Sequence, residues 1–362
     1  MRLPVSIILG LILVIVVLIS FISRNSKPAI VTVTITNAPA AKPFSFKRFA
    51  KTSSATTTEL AEPAPVATTN IWQRLMDGED DFQLSAEQWA EYLRQFGTNV
   101  ETLLATQKTN YIRLAAELFP NDPRVQYAVI GRDIFPEAKR EWLERFKQSA
   151  PDNAIADYLS AREYFKAGDR EKAFNDLGNA MGKTRFDDYT LELAQNAEEA
   201  QLSAGRSLVE AKVASNSEIL LPQMAMFKNL AQEMQTLQKQ YVAGGDTASA
   251  ETLAQWGHHL ADQLSTGEGS RTILGQLVGI AIDRIVLNPL PADSQPAFLN
   301  GTVQQRLDEL NVSRKNIRDL SANSLQRLDT ASESDIINYF DRFKFQGETK
   351  AMLWLQNRNN LR

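Results

Sequence analysis

The sequence predicts an all-α protein of stacked helical hairpins, which follow an N-terminal transmembrane helix and a disordered tether. Three observations support this fold class. An uncharged apolar run lies near the N-terminus, and a stretch rich in alanine, threonine and proline follows it. In the rest of the chain, prolines separate segments with helical apolar spacing, and a glycine-centred pattern recurs.

The amino-acid composition excludes several classes of protein. The 362 residues are 43% apolar and 23% charged, without cysteine, and the mean hydropathy is -0.28, which excludes a disulfide scaffold, a collagen and a polytopic membrane protein. The net charge of -4 is divided unevenly, since residues 1–70 carry +5 and residues 71–362 carry -9. Phosphate binding needs clustered lysine and arginine, so the acidic body argues against nucleic acid as a partner.

Residues 1–23 are predicted to be a transmembrane signal anchor. Residues 5–22 form eighteen uncharged positions, and a helix of this length covers about 27 Å against a hydrocarbon thickness of roughly 30 Å. The alternative, a cleaved signal peptide, has a shorter apolar core followed by an A-x-A-like site. Here the nearest such site is Ala38-Pro39-Ala40, far past the core, so we expect an uncleaved anchor in the lipid bilayer.

The orientation of this anchor depends on a small charge difference. Arg2 and the α-amino group compete with Arg24 and Lys27, which nearly balances the positive-inside rule. The short N-terminal tail favours a cytoplasmic N-terminus. We therefore expect a single-pass membrane protein whose body lies on the extracytoplasmic, periplasmic side.

Residues 24–70 are predicted to be a low-complexity tether. Alanine, threonine, proline and serine make up 27 of its 47 positions, too few apolar groups to offset the entropy of ordering. As a flexible coil it would reach roughly 40 Å. Residues 30–36 alternate like a strand, although an extended linker explains them as well, and the basic and aromatic residues 42–51 suit either anionic headgroups or water.

The body reads as helices throughout. Ser85 to Gln88 have capping-box spacing before an apolar helical face, and Gly97 gives a stop signal. Residues 98–119 continue the same apolar spacing. We find no convincing alternating strand after residue 70.

Internal similarity is the most informative feature of the body. The segment Gly168-Asp169-Arg170-Glu171-Lys172-Ala173 recurs as Gly245-Asp246-Thr247-Ala248-Ser249-Ala250, and Gly205 marks a looser copy. Tyrosine stands four residues before the first and last of these glycines. Glycine permits a left-handed turn after one helix, aspartate caps the next, and alanine allows close packing. A period of 31–40 residues predicts stacked helical hairpins.

On these residues the chain resembles the tetratricopeptide repeat. The matching small, aromatic, turn and packing positions are Ala161, Tyr164, Gly168, Asp169, Ala173, Leu177 and Ala180. Asp157 stands where the repeat has tryptophan, and Arg185 stands where it has a closing proline. The resemblance extends over roughly residues 120–264 and implies a protein-binding solenoid. Segments such as PNDPRVQYA and ILGQLVGIAID also resemble an uncharacterised family of bacterial membrane-anchored repeat proteins, which implies no activity.

We assign residues 71–290 to the tetratricopeptide-like helical repeat domain and residues 291–362 to a C-terminal helical capping region. Residues 273–287, apolar almost all round, are predicted to form a central buried helix. Residues 227–241 carry a seam that fits an antiparallel hairpin with residues 247–264 better than an intermolecular coiled coil. The aromatic stripe of residues 339–345 fits a cap better than a partner groove.

The search for chemistry predicts no catalytic, cofactor or metal site. His258 and His259 are the only histidines, and His258 with Asp262 gives two potential ligands where zinc needs more, so a solvated helix face is expected. Residues 267–270 read as a turn without phosphate-loop chemistry. Adjacent carboxylates are expected to be solvated, as in Asp80/Asp81, Asp187/Asp188 and Glu198/Glu199.

The sequence therefore predicts a membrane-anchored scaffold that binds an unknown protein, without cofactor and without enzymatic activity. Two alternatives remain open. A hydrolase or lyase would show a pocket with convergent carboxylates, and a structural envelope spacer would show a smooth face without an apolar or aromatic patch.

Overall fold

The computed structural model describes residues 71–76, 83–217, 221–266 and 271–358. The predicted anchor and tether lie outside these residues, and no described helix is long and apolar enough to cross a membrane. The described helices belong to one compact unit that spans Thr69–Arg362. The α-helices are α1 (Ile71–Met76), α2 (Ala86–Phe96), α3 (Val100–Ala105), α4 (Thr109–Leu118), α5 (Pro123–Gly131), α6 (Lys139–Ser149), α7 (Ala154–Lys166), α8 (Arg170–Met181), α9 (Thr190–Ser203), α10 (Leu208–Ser217), α11 (Pro222–Ala243), α12 (Thr247–Ser265), α13 (Ile273–Leu287), α14 (Val303–Leu328), α15 (Glu333–Gln346) and α16 (Glu348–Asn357).

The described residues are all-α, as the sequence predicts, apart from one isolated bridge between Asn153 and Arg185. The predicted capping box at α2 is confirmed, because Ser85 Oγ accepts from Gln88 N at 3.2 Å and Ser85 N donates to Gln88 Oε1 at 2.9 Å. The apolar stretch 98–119 forms two helices, α3 and α4. The chain turns between them at Gln107, whose φ is 52°.

Three hairpins, α7–α8, α9–α10 and α11–α12, share one turn geometry. Gly168, Gly205 and Gly245 have φ values of 78°, 87° and 80°. In each turn the amide after the glycine donates to the carbonyl five residues earlier, at 3.0 Å from Asp169, 3.3 Å from Arg206 and 2.9 Å from Asp246. This is a Schellman arrangement, so the predicted recurrence is confirmed at the level of the turn.

The hairpins do not stack strictly in chain order. Helix α11 packs on α7 and α12 packs on α8, although the α9–α10 hairpin separates them in sequence. That hairpin packs to the side, where α9 contacts α2 and α3 while α10 contacts α1 and α15. The helices are therefore packed in pairs, and the α9–α10 hairpin lies outside a sequential order of hairpins.

The segment after α8 explains the displacement. Asn153, the N-cap of α7, donates to Asp187 O at 2.8 Å and accepts from Asp187 N at 3.2 Å. Directly before Asp187, the buried Phe186 ring lies 6.2 Å from the Tyr158 ring and 5.6 Å from the Phe227 ring. Phe186 thus fills the space between α7 and α11, and the chain leaves it through the left-handed Tyr189, whose φ is 55°.

Helix α13 is the predicted central buried helix, and it packs on α11, α12 and α14. Two glycines allow its close approach to α12. A Cβ on Gly257 would lie 2.4 Å from Val286 Cγ1, and a Cβ on Gly279 would lie 2.7 Å from Ala261 O. The predicted seam on α11 also faces inward, with Phe227, Leu230, Met234 and Leu237 buried and α12 packed alongside.

The C-terminal helices pack back on the middle of the body. Tyr339, Phe340 and Phe343 of the aromatic stripe are buried, whereas Phe345 is 74% exposed. At the junction, Glu348 Oε2 accepts from Ile273 N at 2.7 Å and so caps the first turn of α13. Most of the stripe is therefore core, and the predicted capping role of residues 291–362 stays a prediction.

Candidate functional site

A cavity of about 290 Å³ opens between α12, α14 and the loop that precedes α14. His258 and Asp262 reach it from α12, one helical turn apart. Arg306 and Glu309 reach it from the first two turns of α14, and Phe298 reaches it from the loop. The cavity is thus lined by a histidine, two carboxylates and an arginine.

The position of Arg306 follows from the local sequence. Thr302 caps α14, because its Oγ1 accepts from Gln305 N at 3.1 Å and its own amide donates to Gln305 Oε1 at 2.8 Å. This capping box fixes the angle at which the loop enters the helix. Arg306 is the next residue, so its side chain is held one turn from the cap and directed at α13.

Asp283 on α13 joins the two walls of the cavity. It is 1% exposed; its Oδ1 lies 2.8 Å from His258 Nδ1, and its Oδ2 accepts from Arg306 Nε at 3.0 Å. A buried carboxylate needs such partners because an unpaired charge in the interior is costly. Burial lowers the pKa of the Arg306 guanidinium, but the charges of Asp283 and Glu309 and the hydrogen bonds to them together outweigh this, and the net shift is upward.

The hydrogen bond to Asp283 assigns the tautomer of His258. A carboxylate that accepts at both oxygens offers no donor, so in a neutral imidazole the proton resides on Nδ1. Nε2 then carries the lone pair. Because the His258 side chain is 20% exposed and lines the cavity, this nitrogen is the acceptor that the ring offers to a ligand.

The neighbouring His259 has different surroundings. Burial lowers the pKa of His259, and its Nε2 is enclosed without a hydrogen-bond partner among the described residues. Of the two histidines, His258 is therefore the one with a paired nitrogen and an opening. A nucleophile beside it is not evident, because the nearby Thr302 hydroxyl is engaged as a helix cap.

The solvated helix face expected for His258 is wrong, because the ring pairs with a buried aspartate. No group of three or more potential histidine, aspartate or glutamate ligands is arranged to hold a metal ion within the described ranges. Sequence reasoning missed Asp283 as the partner of His258, and Arg306 as the second partner of Asp283. The available signal was a single aspartate inside the apolar helix 273–287, since such a residue requires a partner from another helix.

The predicted solvation of carboxylates is also wrong at two positions. Asp188 accepts from Thr190 N at 3.1 Å and from Gln223 Nε2 at 2.9 Å, and burial raises its pKa. Glu198 is buried and pairs with Lys212. Glu199 is exposed and the Asp187 side chain is 38% exposed, whereas Asp80/Asp81 and the turn 267–270 lie outside the described residues.

Lys212 forms a second buried charge cluster, which ties three helices together. Its Nζ lies 2.9 Å from Glu198 Oε1 on α9 and 2.6 Å from Asp341 Oδ1 on α15. Burial lowers the pKa of Lys212, but the hydrogen bonds to Asp341 and Glu198 and the charges of these carboxylates together outweigh burial, and the net shift is upward. Lys212 and Glu198 are buried, whereas the Asp341 side chain is 44% exposed, so the cluster fixes α15 against α9 and α10 at the edge of the core.

The described residues form an all-α protein of paired helices, and the cavity beside His258 is a mixed-charge pocket among them. No family model matches the chain, and comparisons with curated proteins and with solved structures found no match either. The resemblance to the tetratricopeptide repeat therefore stays a prediction.

Proposed function

We propose that this chain is a membrane-anchored helical-repeat scaffold that binds another protein. The observation that carries the proposal is the recurrence of one Schellman turn at Gly168, Gly205 and Gly245, each joining two helices of a hairpin. Repeated hairpins of this kind form extended, rigid surfaces, and such surfaces commonly recognise polypeptides. We interpret the hairpins as a tetratricopeptide-like solenoid in which α9–α10 is displaced to the side.

The charge chemistry of the body favours binding over catalysis. Lys212 and Asp157 are buried in ion pairs, and Arg124 pairs with Asp122, Glu101 and Glu192. These groups fix one helix against another. A scaffold needs this rigidity, because a preorganised surface loses less entropy on binding than a mobile one.

The proposal places residues 5–22 in the bilayer and the body on the extracytoplasmic side, where its net charge of -9 disfavours nucleic acid. Protease added to intact cells tests the topology. Degradation of the body by external protease, once the outer envelope is opened, supports export. Full protection until the inner membrane is lysed contradicts it.

Crosslinking in the membrane, followed by purification of the tagged full chain, tests the scaffold function. We expect a reproducible adduct that contains a second protein and that persists in mild detergent. As a matched control, a chain with the same anchor and tether but an unrelated body should not form this adduct. Recovery of the body alone under several growth conditions contradicts the proposal.

A second candidate, an enzyme of the hydrolase or lyase class, is favoured by one observation. His258 is paired with Asp283 beside a cavity that Asp262 and Glu309 also line, and a histidine oriented by a carboxylate can act as a general base. Activity that is lost in His258→Gln but unchanged in His259→Gln would favour this candidate.

A further inference from the structure

We propose that the cavity beside His258 binds one alkylguanidinium or alkylammonium group, which a basic side chain of the partner protein supplies. The proposal relies on the proposed function only for the source of the cation. The chemistry of the cavity itself comes from the residues that line it, so a cation probe tests it without any partner.

The cavity offers hydrogen-bond acceptors and a negative charge. Arg306 offsets the buried Asp283, and its Nη1 also lies 3.3 Å from Glu309 Oε2. Because the Arg306 guanidinium already pairs with the carboxylates of Asp283 and Glu309, the further carboxylate of Asp262 gives the cavity walls a net negative charge. When its ring is neutral, His258 adds Nε2 as an acceptor nitrogen, because the Nδ1 proton then faces Asp283. A ligand with several N–H donors and a positive charge satisfies these groups together.

The size and the aromatic wall also suit an organic cation. A volume of about 290 Å³ holds the end of one long side chain with some water. The Phe298 ring lines the cavity and lies 5.4 Å from the His258 ring, and the face of an aromatic ring attracts a guanidinium or ammonium group. An anionic ligand would meet Asp262 and Glu309, and a metal ion would lack a third well-placed ligand among the described groups.

Ligand-observed saturation-transfer NMR on the full chain in detergent micelles tests the proposal. The probe is N-acetylargininamide, and the matched control is N-acetylcitrullinamide, which has the same shape without the charge. Because the ion pairs are partly exposed, we expect weak binding, with a dissociation constant of about 1–10 mM. Equal saturation of the two compounds, or of neither, overturns the proposal.

Charge-neutralising variants locate the binding site. Asp262→Asn with Glu309→Gln should weaken probe binding at least about fivefold, a change of roughly 1 kcal/mol. The control pair, Glu171→Gln with Asp319→Asn, changes the net charge equally at exposed positions of α8 and α14 and should leave binding unchanged. An equal effect of both pairs would show long-range attraction to the acidic body and would overturn a site at the cavity.

Competition separates a partner side chain from a free amine. We expect a short arginine-containing peptide to displace the probe at least as well as spermidine does. Displacement by spermidine at a tenfold lower concentration would contradict a partner side chain. These assays use no partner, so a negative result would overturn the cation site without affecting the scaffold proposal. A negative crosslinking result would contradict the scaffold proposal without affecting the cation site.

Discussion

Replacing Gly257 with alanine tests the packing of the central helix. The added Cβ would lie 2.4 Å from Val286 Cγ1 and 3.0 Å from Val286 Cβ, distances at which atoms must move apart. Val286 is fully buried, and a β-branched residue in a helix has one strongly preferred rotamer, so its side chain cannot rotate away from the new methyl group at low cost. Helices α12 and α13 must therefore move apart, and the close approach that Gly279 allows would be lost.

We expect Gly257→Ala to destabilise the body by about 1–3 kcal/mol, the usual cost of overpacking a core. For a body of this size the thermal midpoint should fall by roughly 2–6 °C. Circular dichroism of the full chain in detergent, followed during heating, measures this change. The double variant Gly257→Ala with Val286→Ala should be more stable than the sum of the two single changes predicts, because the smaller side chain leaves room for the new methyl group.

Gly178→Ala is the matched control. Gly178 lies inside α8, and a Cβ there would meet no atom within 4 Å. The same substitution should therefore stabilise the helix by about 0.5–1 kcal/mol. If Gly257→Ala raises the thermal midpoint as Gly178→Ala does, the close approach of α12 and α13 is refuted.

Three further predictions concern single side chains. Lys212→Met should lower the free energy of unfolding in denaturant by about 3 kcal/mol, because it leaves a buried carboxylate unpaired. The control Lys172→Met changes an exposed lysine and should cost under about 1 kcal/mol. Equal costs would contradict a buried ion pair at Lys212. Burial raises the pKa of Glu348, so its favourable contribution is present below the ordinary glutamate pKa of about 4.3 and is lost as pH rises through the raised value. Glu348→Gln should therefore gain stability relative to the native chain between pH 4 and 8, and a constant difference over that range would argue against the burial. Gly168→Ala should lower the free energy of unfolding by about 1–2 kcal/mol, because the φ of Gly168 is 78° and alanine is strained there. Gly182→Ala should not carry this cost, because the φ of Gly182 is -83°. Similar unfolding midpoints for the two variants would refute the left-handed turn at Gly168.

The turns and caps were predictable because they depend on neighbouring residues. A glycine at φ near 80° followed by a capping aspartate is a local requirement, so Gly168 and Gly245 could be read directly from the sequence. The buried helix 273–287 was also predictable, since its apolar residues leave no polar face. Local rules failed at Gln107, where one continuous apolar pattern is divided by a left-handed residue that carries no glycine signal.

The arrangement of the helices and the cavity could not be predicted in the same way. Helical spacing shows which side of α12 faces inward, but not that α13 and α14 complete the surroundings of His258. Asp283 and Arg306 lie 25 and 48 positions after His258, so the pairing of His258 with Asp283 and of Asp283 with Arg306 depends on tertiary packing. The displacement of α9–α10 likewise depends on where Phe186 packs, and neither turn nor cap encodes that.

Position-resolved photocrosslinking in living cells tests the scaffold function most directly. Photoreactive residues would replace Asn175 on α8, Thr236 on α11 and Asn316 on α14, all exposed, in the full chain. A scaffold with one binding face predicts that the same partner is captured at one or two of these positions and not at the others. Capture of lipid alone, of many unrelated proteins at all three positions, or of nothing would contradict the account.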